Sequence, residues 1–165
     1  MERIEFYSTR DAYGDFSNFA AHSVYLDGKS WPTTEHYFQA QKFVGTPYAE
    51  EIRRAKSPMI AARLGRSRKH PLRKDWESVK VSVMHAAVLA KFSQHAELTA
   101  LLLGTGDALL VESTYNDSYW GDGGDGSGKN QLGKILMQVR ETLQQSQPTP
   151  SEETLPLESS PKKKR

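Results

Sequence analysis

The sequence predicts a single α+β domain, predominantly helical with a small antiparallel sheet. Three observations carry that expectation. Apolar residues recur at helical spacing over two long stretches, 76–92 and 132–143. Proline follows a capping residue directly at Thr46-Pro47 and Ser57-Pro58, the arrangement of a helix start. Strand-like alternation is confined to short runs, and Asp27-Gly28 between two of them signals a hairpin. A chain of 165 residues is one domain's worth and long enough to bury a core without staples.

Taken in order, Ile4-Glu5-Phe6-Tyr7-Ser8 alternates as a strand, and Ser23–Trp31 is the hairpin. Trp31-Pro32 opens a helix from Thr33 to Val44, ended by Gly45. Helices start again at Pro47 and Pro58, and Gly65 is the expected stop of the second. Asp75 is the expected cap of the longest helix, Trp76 to Phe92, whose Trp76, Val79, Val83, Ala86, Ala87 and Ala90 share a face. His95–Leu103 is a helix stopped at Gly104, and Ala108–Glu112 is a strand. Asn130 is the expected cap of the last helix, which turns Leu132, Ile135, Leu136, Val139 and Leu143 inward.

The domain is expected to span 1–145. Residues 146–165 hold four prolines, many hydroxyls and two leucines, too little apolar surface to offset ordering, so a disordered tail is expected there. Its PKKKR end reads as a solubilising terminus or as a nuclear-import or anion-binding patch.

Composition excludes several classes. There is no cysteine, so disulfides, thiolate zinc sites and Cys nucleophiles are out. No apolar run approaches the ~18–20 residues that cross a bilayer, and Met1–Arg10 has no basic-then-apolar signal layout. A cytoplasmic address with no membrane partner is expected. The net charge is +2; Glu152, Glu153 and Glu158 against Lys162, Lys163, Lys164 and Arg165 leave the body near +1. That is not the field of a protein gripping duplex DNA by counterion release. The basic stretch Arg63–His70, with Arg73 and Lys74, suits either a phosphate or a solvated face.

Three segments carry possible chemistry. Glu35, Gln39 and Lys42 are spaced by four and three, so they share one helix face. That face is either a solvated surface or a site rim with an acid or base and an amine; His36 reads as structural. In Tyr119–Asn130, five glycines fall within the eight residues 121–128, directly before a helix. Their amides suit an anion cradle, although there is no GK[ST] and no Rossmann fingerprint; a flexible loop is the other reading. Asp117, Asp122, Trp120 and Asn116 suit a sugar and a stacked base. In Tyr13–Phe19, Asn18 lies among aromatics in either a packed turn or a ligand platform. Trp31 and Trp76 read as core, though Trp76 in a first helical turn is within reach of a cleft. His22, His36, His70, His85 and His95 show no HExxH or close pairing, so no metal is expected.

Several of these strings together resemble one family. Phe6-Tyr7, Gly14–Phe19, Trp31–Phe43 (WPTTEHYFQAQKF), Tyr119–Gly123 (YWGDG) and Gly128–Gly133 (GKNQLG) are similar to the NADAR superfamily, near its YbiA-like branch. Arg53-Arg54, Pro58, Ala61-Ala62-Arg63 and Trp76-Glu77 fit as well, and the resemblance covers about residues 4–143. It implies a compact, mainly helical fold and cleavage of N-glycosidic bonds. YbiA-like members are implied to act on phosphoribosylamino-pyrimidine intermediates of riboflavin synthesis, and other branches to remove ADP-ribose from guanine in nucleic acid. Glu35 and Lys42 match motif positions at the family's site, with Trp76 and 117–122 as further candidates.

The chemistry asks for these residue types. Breaking an amine's bond to C1′ of ribose builds positive charge on the sugar, which a carboxylate opposes while activating water. Glu35 is expected there, with Lys42 holding the 5′-phosphate or attacking an opened C1′ as an amine. Asp122 or Asp117 is expected to hold ribose hydroxyls or assist the leaving amine, and Trp76 or Trp120 to stack on the base. Gly121 and Gly123 of the loop, Arg54 and Arg63 are expected to receive phosphate, with Asn18 as a further contact. The expected partner is a small phosphorylated nucleotide-like substrate, and no cofactor is required. The alternatives are an ADP-ribosyl glycohydrolase of guanine in nucleic acid, and a module that binds ADP-ribose or NAD without turnover.

Overall fold

The structure, a computed structural model, describes residues 2–147. The expectation for 146–165 therefore lies, apart from Ser146 and Gln147, outside the described residues. The elements run β1 (Arg3–Phe6), a 3-10 turn (Gly14–Phe16), β2 (Val24–Leu26), β3 (Lys29–Trp31), α1 (Thr34–Gln41), α2 (Pro47–Arg53), α3 (Pro58–Arg66), α4 (Trp76–Gln94), α5 (Ala96–Leu103), β4 (Leu109–Glu112) and α6 (Gln131–Gln145). This is the mainly helical α+β architecture that the periodicities predict. Among the described residues no helix is long and apolar enough to cross a membrane.

Helix α1 is the central element. Every residue from Thr34 to Gln41 is buried, because the helix packs on α2, α3 and α4. Thr33 starts it: the Thr33 hydroxyl accepts a hydrogen bond from the His36 amide at 3.1 Å and meets the His36 ring Nδ1 at 2.8 Å. The other His36 ring nitrogen lies 3.0 Å from the Ala55 carbonyl, so this histidine is a structural tie. The helix ends three residues earlier than the sequence predicts. Lys42, Phe43 and Val44 continue it only as a tightened turn, donating to the carbonyls of Gln39, Ala40 and Gln41.

Two apolar clusters flank α1 and α4. One joins Phe6, Phe16, Phe92, Leu110, Ile135, Leu136 and Val139 between the strands β1 and β4 and the helices α4 to α6. The other joins Trp31, Tyr37, Ala40, Phe43, Ile52, Ala61 and Ala87 beneath the hairpin. Fully buried aliphatic and aromatic side chains of this kind contribute about 1.5–3 kcal/mol each. The α1 residues Tyr37 and Ala40 face one cluster and Phe38 the other, which leaves Glu35, Gln39 and Lys42 between them.

The hairpin pairs β2 and β3 antiparallel, with Asp27 and Gly28 both at positive φ. A second pair is parallel: β1 lies on β4 with Phe6 opposite Glu112. Three local expectations are corrected. Helix α3 runs through Gly65 to Arg66 rather than stopping, since Gly65 is needed for a close approach described below. Asp75 does not cap α4 with its side chain, because Arg73 takes its carboxylate at 2.6 and 3.1 Å. Asn130 does not cap α6 with its side chain either. It accepts from the Glu112 amide and donates to the Leu110 carbonyl, extending the edge of β4 as a strand would. The inward face predicted for α6 is buried as expected.

Candidate active site

The face of α1 that carries Glu35, Gln39 and Lys42 opens into a cavity of about 670 Å³. That size accommodates a nucleotide-like molecule. Six parts of the chain meet there: Tyr7 after β1, the turn that supplies Ser17 and Asn18, α1, Ala62 and Arg66 of α3, Met84 of α4, and the run from Glu112 to Trp120.

Glu35 stands in the first turn of α1 and is only 8% exposed. Its carboxylate accepts a 2.7 Å hydrogen bond from the Gln39 side-chain amide one turn on. Burial pushes its pKa up, and the Gln39 bond and the charges of Lys42 and Arg66 only partly oppose this. Orienting its NH₂ to Glu35 leaves the Gln39 carbonyl oxygen buried with no hydrogen-bond partner among the described residues. This amide lies against Gly65, where a Cβ would sit 1.9 Å from that oxygen. Glycine at 65 is thus required for Gln39 to reach Glu35.

Lys42 lies at the end of α1, its Nζ 5.8 and 5.9 Å from the ring centres of Phe38 and Trp76. Among the described residues its side chain makes one hydrogen bond, a long one of 3.4 Å to the Gly65 carbonyl. Burial, then the positive charge of Arg68, pull its pKa down to about 8 against the pull of Glu35; Arg66 and Lys80 add to the lowering. A substantial neutral fraction is therefore present just above neutrality.

The wall opposite α1 is braced from below. Asn18 accepts from the Thr34 hydroxyl at 2.8 Å, and its own carbonyl accepts from the Glu35 amide. Lys91, fully buried in α4, donates to the Ser17 carbonyl at 2.9 Å. Asp117 turns the chain, its Oδ1 accepting from the amides of Tyr119 and Trp120. Trp120 meets Phe38 edge to face at 5.3 Å.

Of the residues singled out in the sequence, Asn18, Glu35, Gln39, Lys42, Asn116, Asp117 and Trp120 line this cavity. Trp76 is buried directly behind it, 5.1 Å from Phe38, and supports the wall without lining it. Gly121, Asp122 and Gly123 do not line it, and the glycine segment is not the expected anion cradle. Most of its amides are already donated: those of Asp122, Gly123, Gly128, Lys129 and Asn130 go to backbone carbonyls of the same region, and those of Gly124 and Ser127 to Asp122 and Asp125. Asp122 itself accepts from the amides of Thr114 and Gly124, so its carboxylate is a bracket rather than a free acid. Arg54 is exposed, 3.9 Å from Glu50, and Arg63 is exposed too; neither lines the cavity. Arg66, one helical turn after Arg63, does.

The sequence reading missed Glu112, Thr114 and Tyr7 as site residues, all of which line the cavity. It also missed a pairing of histidines: the rings of His22 and His95 lie 5.5 Å apart, and with Glu97 they are spaced for a metal ion. His22 bonds Asp15 at 2.8 Å and His95 bonds the Ser23 carbonyl at 2.6 Å, and none of the three lines the cavity.

Comparison with known proteins places the chain. The model of the NADAR domain matches residues 5–144. The chain is 67% identical to N-glycosidase YbiA of Escherichia coli K12, over 85% of this chain and 88% of that protein. Its fold is similar to the NMR structure of the E. coli protein YbiA, with a TM-score of 0.82 and 62% identity over 90% of each chain. It is also 45% identical to the maize chloroplastic riboflavin biosynthesis protein PYRR, over 90% of this chain but only 26% of that one. A family match across the whole folded body, joined to this identity, means that the chain belongs to the NADAR family and is an N-glycosidase.

Proposed function

We propose that the protein hydrolyses the C1′–N bond of phosphoribosylamino-pyrimidines, the glycosylamine intermediates of riboflavin synthesis, and releases ribose 5-phosphate. The observation that carries this reading is the buried, incompletely paired Glu35 carboxylate sharing one cavity with Lys42 and Arg66. The kinship to a protein named for riboflavin biosynthesis supports the pyrimidine substrate.

The chemistry follows from the charges. A carboxylate held out of water with one neutral hydrogen-bond donor gains most when positive charge appears beside it, as at C1′ of a ribosylamine losing its nitrogen. Arg66 receives the 5′-phosphate. Lys42, neutral in part because its pKa is lowered to about 8, adds to C1′ of the ring-opened sugar as its protonated imine. The pyrimidine amine departs with the electron pair of the C1′–N bond and one proton, leaving C1′ as an imine of Lys42. Water, activated by Glu35, then adds to C1′, frees Lys42 and gives the sugar aldehyde. The sum is one water consumed, one amine and one ribose 5-phosphate released. Asp117 holds the ribose hydroxyls.

The test incubates the protein with 5-amino-6-(ribosylamino)uracil 5′-phosphate and, separately, with DNA carrying ADP-ribosylated guanine. The proposal expects ribose 5-phosphate from the first and little ADP-ribose from the second. The reverse ratio would move the protein to the nucleic-acid branch, and stoichiometric binding without release would make it a sensor. Borohydride added during turnover is expected to trap the sugar on Lys42; without an adduct, the lysine acts only as a charge.

A further inference from the structure

The cavity does not end at Glu35. A second hollow of about 440 Å³ adjoins it, bounded by Ser8, Thr9, Phe19, Ser57, Pro58 and Met59. The two share Tyr7, Ser17, Phe19 and Glu112, whereas Glu35 and Lys42 belong to the first alone. A molecule that fills both, with its sugar against Glu35, carries its sugar–nitrogen bond past Glu112.

Glu112 is held rigidly at that boundary. Its amide donates to Asn130 Oδ1 at 3.0 Å, its carbonyl accepts from the Asp122 amide at 2.9 Å, and β1 pairs alongside it. Its carboxyl, by contrast, is stabilised by no hydrogen bond or positive charge from the described residues. The departing amine needs a proton, and among the described residues Glu112 is the carboxyl that lines both hollows.

We propose that Glu112 is a further catalytic residue, the acid that protonates the departing nitrogen, and that the hollow beside it receives the aglycone. This rests on the N-glycoside reading above. The C1′–N electron pair goes to nitrogen, the Glu112 proton completes the free amine, and the resulting carboxylate recovers its proton from solvent. The surroundings favour the protonated start. Burial raises the Glu112 pKa to about 7, and every charged group that shifts it is a carboxylate: Asp117 and Asp122 from the loop after β4, and Glu35 from α1. Since the folded value lies above the ordinary carboxylate value of 4.5, the acid form prevails below about pH 7 and is lost above it.

The experiment uses ribosylamine 5-phosphates of a graded series of substituted anilines, with wild type and Glu112→Gln. With the acid in place, kcat is expected to depend weakly on the basicity of the leaving aniline. Glu112→Gln should slow poor leaving groups about 100-fold or more and good ones far less, and should erase the fall in rate above about pH 7. An equal loss across the series would show a structural role and overturn the proposal. If the variant does not fold, wild type alone decides. Its dependence on leaving group must steepen as pH rises through about 7, and a constant slope overturns the assignment. Should wild type cleave no member of the series nor the pyrimidine glycosylamine, the N-glycoside reading itself fails.

Discussion

Helix α1 and the glycine segment 117–130 look alike as sequence, both dense in polar and aromatic residues, yet the fold uses them in opposite ways. In the glycine segment the polar capacity is consumed locally: Asp117, Asp122 and Asp125 each accept two bonds from their own neighbourhood, and the amides close on nearby carbonyls. In α1 the capacity is left over. Among the described residues Glu35 is buried with one neutral donor, Gln39 has an orphaned oxygen, and Lys42 has one long bond. Unsatisfied polar groups out of water are costly, so a fold keeps them only where something else supplies the missing partner. On the proposed mechanism α1 is the reacting side, and the glycine segment is the frame that sets Asp117, Trp120 and Glu112 opposite it.

The contrast can be broken by substitution, beginning where the effect is largest. Lys42→Met should lower kcat about 1,000-fold and abolish the borohydride adduct, with melting temperature unchanged or raised because a buried cation is gone. Gly65→Ala puts a methyl into the Gln39 amide, so Gln39 must release Glu35; kcat should fall about 10–100-fold with the fold retained. Asp122→Ala should do the opposite. Two amides lose their acceptor, so denaturant titration should report about 2 kcal/mol of lost stability, while kcat per folded molecule stays within about twofold.

Lys91 sharpens the picture of the floor. Burial pulls its pKa down from 10.5 to about 7, so between those values the unfolded chain binds the proton that the folded one has lost. Stability should therefore rise with pH across that window. Lys91→Met should flatten the rise, leaving the smaller part that belongs to Lys42; an unchanged slope would mean that Lys91 is not the titrating group. The smallest effect is expected of Arg54→Ala, within about twofold in kcat/KM, since the residue is exposed and outside the cavity.

Much of the fold is legible in local pattern, because capping and periodicity act over a few residues. The starts at Thr33, Pro47 and Pro58 and the buried face of α6 follow from chemistry within one turn. The pairing of β1 with β4 is not, since its partners are about a hundred residues apart and nothing near Ile4 records Leu110. The same distance hides Glu112. In sequence it is the polar end of a short strand, and only the fold sets it beside Asp117 and Glu35. Gly65 misleads for a related reason. A glycine near a helix end signals a stop, but here it makes room for a side chain from another helix. Within the glycine segment, composition alone does not distinguish amides free for an anion from amides already closed on neighbours.

The account stands on one buried carboxylate. Glu35→Gln keeps the size and the hydrogen-bonding reach of the side chain and removes only its charge. Hydrolysis of 5-amino-6-(ribosylamino)uracil 5′-phosphate by this variant, measured alongside Asp122→Ala and normalised to folded protein, sets the two regions against each other. The account predicts a loss of about 100- to 10,000-fold for Glu35→Gln, with unfolding stability retained, and near-normal turnover for Asp122→Ala. Normal turnover without the Glu35 charge, or its collapse without Asp122 in a folded protein, would contradict the assignment of the reacting side to α1.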